Sequence, residues 1–238
     1  MMKISPPLQE VTLLRRYKRF LADVRDADGN EFTVHCPNTG SMKNCVVEGG
    51  PCWISDSGNP KRKYRHTLEV TSTPGGFRAG VNTGRANALV QEVIERGLVP
   101  ELAGYDSIRR EVPYGEERSR IDLLLEGSAG PCYVEVKNVT LETGSGEGQF
   151  PDAVSARGAK HLRELQRLAE SGVRTVLFYC VQHTGIERVL PAREIDPDYT
   201  AALEEAVAAG VEVLAYGARI EPDEIALERA IPFSLGQG

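Results

Sequence analysis

The sequence is poor in the features that would support a disulfide framework, a zinc site or a membrane span. Its five cysteines form neither an even disulfide set nor a metal-ligand pattern. Its longest apolar runs are far too short to cross a bilayer, and it opens without the apolar core of a secretion signal. We therefore expect a cytoplasmic protein with no membrane partner, and the sequence leaves its oligomeric state open.

Basic charge is also scarce, with 28 Lys and Arg against 34 Asp and Glu and a pI near 5.4. This balance argues against a uniformly basic nucleic-acid binder, although a local basic face remains compatible with phosphate contact. Residues 1–86 hold 13 of the cations but only 8 of the acidic residues. The change in composition, in a chain long enough for two domains, places a boundary near residue 82.

Short strand-like runs and glycine-rich turns in the first third predict a small OB-like β-barrel over residues 1–82. The rest, residues 83–238, is predicted to be an α/β domain with a mixed central sheet. Its elements are a helix over 87–96, strands over 107–114, 120–126 and 132–140, a flexible glycine-rich loop over 144–148, a helix from about 155, a buried central strand over 173–181, a helix over 197–209 and a final strand over 211–216.

One predicted hairpin places two carboxylates and a lysine on a single face. If its turn centres between residues 128 and 129, Asp122 and Glu135 lie directly opposite each other, with Cβ atoms about 4.5 to 5.5 Å apart. Lys137, two residues beyond Glu135, points from the same face. Opposed carboxylates destabilise a ladder unless a cation compensates them, and Mg²⁺ (or Mn²⁺) has the preference for carboxylate oxygen that would do so.

These residue types suit metal-dependent hydrolysis of a phosphodiester. Asp122 and Glu135 would bind the metal, which lowers the pKa of a bound water, and Lys137 would hold that water or stabilise charge on the phosphate. The alternative is a surface hairpin on which Glu135 and Lys137 form a weak exposed ion pair. Arg120 should lie beside Asp122 and across from Lys137, where it would contact a phosphate or pair with a carboxylate.

Helix, three strands, helix, strand is the core order of the PD-(D/E)XK nuclease superfamily, which residues 83–217 resemble. Asp122, Glu135 and Lys137 occupy the motif, and Ile121 replaces the proline that precedes the aspartate in that superfamily. The resemblance implies a further acidic residue from the first helix, for which Glu92 is the candidate. Helical spacing equally favours Glu92 as a solvated side chain.

Two short segments interleave basic residues with aromatic ones, and each is predicted to open a strand. Cations can follow a nucleic-acid backbone while aromatic faces stack on bases, at about 1 to 3 kcal/mol per base. In a small β module the aromatics can instead pack inward; they are Tyr17, Phe20, Phe32, Trp53 and Tyr64. The basic residues are the candidates for contact with DNA, or with RNA: Arg15, Arg16, Lys18, Arg19, Lys61, Arg62, Lys63 and Arg65.

A third group of basic residues crowds the start of the second predicted helix. Arg157 and Lys160 would sit where free backbone N–H groups can bind phosphate, or on a solvated helix face. His161 is interpreted as structural or exposed, because no cysteine or second histidine stands at metal-ligand spacing from it.

Longer motifs resemble the sugar fermentation stimulation protein A family along nearly the whole chain. They lie at residues 16–24, 35–42, 81–84, 135–140, 150–154, 157–162 and 210–216. The resemblance implies a cytoplasmic bacterial or archaeal DNA-binding protein linked to sugar catabolism, with an OB-like and a PD-(D/E)XK-like domain. At residues 183–185, after Gln182, this chain carries His-Thr-Gly where the family is expected to have an arginine and aspartate pair.

Two functional classes follow. In the first, the chain is a non-specific nucleic-acid-binding protein and a Mg²⁺-dependent nuclease. In the second, it is a non-catalytic DNA-binding regulator of sugar (maltose) metabolism genes, because a fold does not decide chemistry. No helix-turn-helix or other base-reading motif is evident, which favours recognition of backbone or shape.

Overall fold

The computed structural model describes residues 2–115 and 119–236, which form the two expected architectures, a β-barrel and an α/β domain. A short strand, β1 (Met2–Lys3), comes first. The six strands that follow are β2 (Gln9–Tyr17), β3 (Leu21–Arg25), β4 (Glu31–His35), β5 (Pro51–Asp56), β6 (His66–Ser72) and β7 (Arg78–Gly80).

Five of these strands close into the barrel. Their order is β4-β3-β2-β5-β6, and β4 returns to β6 through the pair His35 and Thr67. Alternate residues point inward, so that the barrel centre holds side chains such as Leu13, Val24, Ile54 and Leu68. The fold is therefore the predicted OB-like barrel.

Neither basic segment opens a strand, contrary to the sequence interpretation. Residues 15–17 end β2 and residues 18–20 form the turn to β3, whereas residues 61–65 lie in the loop before β6. Polar side chains in a turn face water without disturbing a barrel core. Lys18, Arg19 and the second group of cations therefore project from loops, whereas Arg15 and Arg16 lie at the end of β2.

The α/β domain follows the predicted order of helices and strands. Its elements are α1 (Ala86–Glu95), β8 (Ser107–Tyr114), β9 (Ser119–Glu126), β10 (Cys132–Val139), β11 (Leu141–Glu142), β12 (Glu147–Phe150), α2 (Ala156–Glu170), β13 (Arg174–Val181), β14 (Arg188–Pro191), α3 (Pro197–Ala208), β15 (Glu212–Glu221) and β16 (Glu224–Ala230). No helix among the described residues is long and apolar enough to cross a membrane.

The described strands of the large sheet lie in the order β1-β16-β15-β13-β10-β9-β8. The sheet is mixed, because β13 is parallel to β10 and β15 while the other pairs are antiparallel. The apolar stripe of α1, which includes Leu89 and Val93, covers one face. Leu162 and Leu165 of α2, with Leu203 of α3, cover the other. As predicted, β13 is central and buried.

Two parts of this domain differ from the predictions. The last predicted strand extends to Glu221 and continues through a hairpin into β16, and β1 pairs with β16. Residues 2 and 3, assigned above to the barrel domain, thus belong to the second sheet. Of the glycine-rich segment 144–148, predicted to be a flexible loop, residues 144–146 lie in the turn between β11 and β12, and residues 147 and 148 begin β12, which pairs with β11 and β14.

The two domains meet through many polar contacts. Arg78 Nη1 of the barrel donates to Glu221 at 2.6 Å, and the Gly80 N–H donates to the Gln182 carbonyl at 2.8 Å. Ser41 Oγ donates to the Asp152 carbonyl, also at 2.8 Å. The barrel is thereby fixed beside the ends of β10 and α2.

Candidate metal centre and nucleic-acid interface

The two carboxylates predicted to bind metal lie on adjacent strands. The antiparallel pairing of β9 and β10 ends at Leu123 and Val134, and Asp122 and Glu135 are the residues that adjoin this last pair on their strands. The Val136 N–H, which points toward β9, donates to Asp122 Oδ2 at 2.8 Å. The register is the one expected from the turn position.

Asp122 is held from a second side by α1. Asn87 Nδ2 donates to Asp122 Oδ1 at 2.8 Å, so each carboxylate oxygen has one fixed donor. Burial raises the pKa of Asp122, and the negative charge of Glu135 raises it further. A divalent cation between the two side chains would remove that repulsion.

Glu135 is almost completely buried, with 1% of its surface exposed. Its Oε1 accepts a hydrogen bond from Lys137 Nζ at 2.6 Å and another from His161 Nδ1. Burial acts to raise the pKa of Glu135, but Lys137 and His161 outweigh it and the pKa is lowered. Glu135 Oε2 is also buried and has no hydrogen-bond partner among the described residues.

A buried carboxylate oxygen without a partner is a rare and unfavourable arrangement unless an ion or water satisfies it. In the described parts of the chain, no three His, Cys, Asp or Glu side chains are grouped so as to hold a metal ion by themselves. Asp122 and Glu135 supply two carboxylates, and a hard cation such as Mg²⁺, which retains several waters, can be bound through one or two carboxylates.

His161 is part of this site, which sequence reasoning missed. Its ring is 6% exposed, and its Nε2 accepts from Arg157 Nε at 3.3 Å. Because arginine can only donate, the proton of the neutral ring is assigned to Nδ1, which donates to Glu135 Oε1. A signal was present in the sequence: His161 precedes the stripe residue Leu165 by four positions, which places both on the buried side of α2.

Tyr114 and Glu164 complete the buried polar surroundings, and neither was predicted. The Tyr114 hydroxyl is buried without a hydrogen-bond partner in the described residues. Burial raises its pKa, and Glu135, Glu164 and Asp122 add to that effect. Glu164 lies so close to Gly115 that a Cβ there would be 2.0 Å from Glu164 Oε2. The site is therefore acidic on more than one side.

Glu92, the predicted helical contribution, lies elsewhere on α1. It pairs with Arg96 at 3.6 Å, and its side chain is 25% exposed. Five residues separate it from Asn87, which corresponds to about 140° around a helix of 3.6 residues per turn. The α1 residue that meets Asp122 is thus Asn87, an amide rather than a carboxylate.

The first basic segment divides into a structural and an exposed part. Arg16 Nη2 donates to the carbonyls of Arg19, Asn38 and Gly40, at 2.8, 2.9 and 2.9 Å. It therefore clamps the β2–β3 turn to the neighbouring loop. Arg15 pairs with Asp23 at 2.8 Å and remains largely exposed. Lys18 and Arg19, at the tip of the turn, are exposed.

The second basic segment lies in the loop between β5 and β6. Lys61, Arg62 and Lys63 are exposed, and Arg62 makes one long hydrogen bond of 3.4 Å to Thr67. Arg65 forms an ion pair with Asp56 at 2.5 Å, which neutralises much of its charge. This loop therefore offers three cations to solvent rather than four.

The remaining basic candidates lie on the α/β domain. Arg120 is exposed on β9 and donates to the Glu111 carbonyl at 3.5 Å, not to a carboxylate of the site. Arg157 is exposed at the start of α2 and reaches the site through His161. Lys160 is half-buried on the same helix.

The five aromatic side chains considered above for base stacking are mostly half-buried or buried. Tyr17 donates to Asp23 at 3.1 Å, Trp53 is 6% exposed, and the Phe32 ring lies 5.1 Å from the His66 ring. Tyr64 is half-buried beside Lys63. Phe20 is different, since 46% of its surface is exposed next to the cations of the turn.

A pocket of about 260 Å³ opens between the domains, and Lys137 is one of its lining residues. The barrel contributes the loop that contains Asn38 and Thr39. The α/β domain contributes the start of α1, the end of β10 and the segment around Gln149. The lining residues are Asn38, Thr39, Gly40, Thr83, Ala86, Asn87, Val136, Lys137, Asn138, Thr140, Leu141, Gln149, Phe150 and Asp152.

Comparison with known proteins agrees with this architecture. A family model described as "SfsA N-terminal OB domain" matches residues 14–78, and one described as "Sugar fermentation stimulation protein RE domain" matches residues 84–224. The chain belongs to the SfsA family. Both the barrel and the α/β domain are thus domains of that family.

Individual relatives cover the whole length. A sugar fermentation stimulation protein homolog of Teredinibacter turnerae is 62% identical over 98% of this chain and 100% of its own. One from Saccharophagus degradans is 60% identical over 91% of this chain and 93% of its own. The structure of Pyrococcus furiosus SfsA in complex with Ca²⁺ superposes with a TM-score of 0.88, at 31% identity and 98% coverage of each chain. These matches confirm the family resemblance and the fold.

Proposed function

We propose that this protein binds DNA, or RNA, through its exposed cations and cleaves the phosphodiester backbone with a divalent metal held by Asp122 and Glu135. The observation that carries the proposal is Glu135 Oε2, which is buried, belongs to an ionised carboxylate and lacks a partner in the described residues. A purely structural ion pair with Lys137 would have no use for a second carboxylate directly opposite. The Pyrococcus furiosus relative was solved in complex with Ca²⁺, which supports a divalent cation as a ligand of this chain.

Each residue would have a separate task. Asp122 and Glu135 Oε2 would hold the metal, preferably Mg²⁺ or Mn²⁺, which when bound supplies an acidified water and polarises the phosphate. Lys137 Nζ, 2.6 Å from Glu135 Oε1, would stabilise the negative charge that develops on the phosphate oxygens. Asn87 and His161 would fix the orientation of the two carboxylates.

Nucleic acid would approach along the basic turn of the barrel. Lys18 and Arg19 project from the β2–β3 turn, which Arg16 ties to the loop beside the pocket. The same loop contacts Asp152, which precedes α2 and its exposed Arg157. This path supports contact with successive phosphates on the way to Lys137. All five cysteines are buried as free thiols, which supports the proposal that the protein acts in the cytoplasm.

The test is cleavage of labelled single-stranded and duplex DNA and RNA in Mg²⁺, in Mn²⁺ and in EDTA. We expect metal-dependent cutting that falls by about 10²- to 10³-fold in Asp122→Asn and in Lys137→Met. Asp106→Asn, which removes an exposed carboxylate elsewhere in the domain, should cut normally. If all four proteins bind nucleic acid and none cuts it, the protein is a non-catalytic DNA-binding regulator and not a nuclease.

A further inference from the structure

Two residues that line the pocket between the domains also contact the carboxylates of the candidate metal centre. Lys137, which binds Glu135, lines it on the β10 side, and Asn87, which binds Asp122, lines it on the α1 side. A group in the pocket would therefore lie next to whatever phosphate Lys137 contacts. At about 260 Å³ the pocket falls just below the range of about 300 to 1,000 Å³ typical of sites for small organic ligands.

The polar groups that face the pocket are mainly uncharged amides and hydroxyls. Asn87 Nδ2 donates a hydrogen bond to Asp122, so the Asn87 Oδ1 remains as an acceptor. Asn38 Oδ1 accepts a hydrogen bond from the Gly40 N–H, so the Asn38 Nδ2 remains as a donor. Gln149 donates to Glu147 and likewise retains its carbonyl oxygen. Donors and acceptors therefore occur together on the walls.

The other walls suit a flat, partly apolar group. Val136, Leu141 and Phe150 supply apolar surface, and the two charged side chains of the lining, Lys137 and Asp152, have opposite signs. Because these two charges offset each other, the pocket attracts a negatively charged phosphate only weakly. A nucleobase, with an apolar face and an edge of mixed donors and acceptors, matches it better.

We propose that this pocket receives one unstacked nucleobase adjoining the phosphodiester to be cut. The substrate is then single-stranded or locally unpaired nucleic acid, because a base must leave its stack before it can enter a pocket between two domains. This inference rests on the proposed function for the identity of the polymer. Beyond that function, it specifies that the substrate is single-stranded where it is cut and that the barrel loop with Asn38 and Thr39 contacts the base.

The test is equilibrium binding, measured by fluorescence anisotropy in EDTA so that no cleavage is required. The probes are a labelled 20-nucleotide DNA strand and its blunt duplex. Thr39 is exposed and lines the pocket, so Thr39→Phe fills part of the space, whereas Ser128→Phe adds the same ring to an exposed turn that does not line the pocket. We expect Thr39→Phe to weaken single-strand binding by about tenfold, as loss of one base contact implies, and to leave duplex binding unchanged.

Ser128→Phe, the control for an added aromatic side chain, should bind both probes as the wild type does. Gln149→Leu keeps the side-chain volume but removes the polar amide, so it should weaken only single-strand binding. This variant replaces Thr39→Phe as the test if Thr39→Phe proves less stable than the wild type. Equal affinity of the wild type for both probes, or an equal loss on both in the filled variant, would overturn the inference. A strand-selective loss in a protein that never cuts would leave the pocket in place and remove the proposed catalysis instead.

Discussion

At the scale of single residues, the two oxygens of Glu135 have different surroundings. Oε1 receives Lys137 and His161, whereas Oε2 is buried and lacks a partner in the described residues. A buried carboxylate left to itself would take up a proton, and the two donors at Oε1 prevent this. In the proposed site, His161 would act as a positioning residue that keeps Glu135 ionised and leaves Oε2 available to the metal.

Replacement of His161 should weaken metal binding without abolishing the fold. We expect His161→Ala to raise the Mg²⁺ concentration needed for half-maximal cleavage by about 10- to 100-fold, as loss of a hydrogen bond to a metal ligand typically does. The side-chain amide of His161→Asn can donate from a position near Nδ1, so this variant should recover part of the loss. Equal metal dependence in the wild type and both variants would contradict this role.

At the scale of secondary-structure elements, the β2–β3 turn is unusual. Lys18 and Arg19 both adopt left-handed backbone angles, with φ of 49° and 64°, where asparagine and glycine are preferred. Strained positions of this kind cluster at functional sites. Two exposed cations retained there, beside the exposed Phe20, are consistent with contact to nucleic acid.

The double variant Lys18→Asn, Arg19→Gly should therefore be more stable and bind less well. We expect the free energy of unfolding to increase by about 1 kcal/mol, because both new residues accept left-handed angles. The slope of log affinity against log salt should become shallower by about 2, one for each lost phosphate contact. Arg25→Gln, at the other end of β3, is the control and should leave the slope unchanged. An unchanged slope in the double variant would exclude the turn from the interface.

Local patterns in the sequence predicted most elements and placed Asp122 and Glu135 on adjacent strands, as the structure has them. The position of the turn predicted the register of β9 and β10, because moving the turn centre along a hairpin changes every pair of opposed residues. The predicted strand at residues 173–181 was identifiable because a strand covered on both faces is apolar throughout.

Features that depend on distant contacts were missed. The segment 224–230 consists largely of residues that favour helices, yet it forms β16 because it pairs with β15 and β1. His161 was interpreted as structural or exposed, since only the fold shows that α2 crosses beside Glu135. The clamp formed by Arg16 joins segments more than 20 residues apart, so nothing in the local pattern separates it from the exposed cations.

At the scale of the whole molecule, one buried carboxylate of the barrel holds the start of α1. Glu69 on β6 is 2% exposed and accepts from Arg85 at 2.6 and 2.8 Å, from Asn82 at 2.8 Å and from Ser55 at 2.6 Å. Burial acts to raise the pKa of Glu69, but Arg85 and the other donors lower it overall. Because Asn87 follows shortly after Arg85, the barrel helps to position the residue that binds Asp122.

Glu69→Gln should destabilise the protein in a pH-dependent way. At pH 7 we expect the free energy of unfolding to fall by about 3 to 5 kcal/mol, because Arg85 loses its buried partner. A lowered pKa contributes stability above the unfolded value, near 4.3, and this contribution disappears as pH falls through the folded value. Urea unfolding from pH 7 down to pH 3.5 should therefore show the difference shrinking below about pH 4. Exposed Glu48→Gln is the control, and a difference that does not depend on pH would contradict the ion pair.

The most direct test of the metal centre is calorimetric titration of Mn²⁺ into the wild type and into Asp122→Asn, Glu135→Gln and Asp106→Asn. We predict a binding site in the wild type and in Asp106→Asn that is lost or weakened at least tenfold in the other two variants, because each removes one of the two carboxylate ligands. Binding of equal affinity in all four proteins, or in none of them, would contradict a metal centre formed by Asp122 and Glu135.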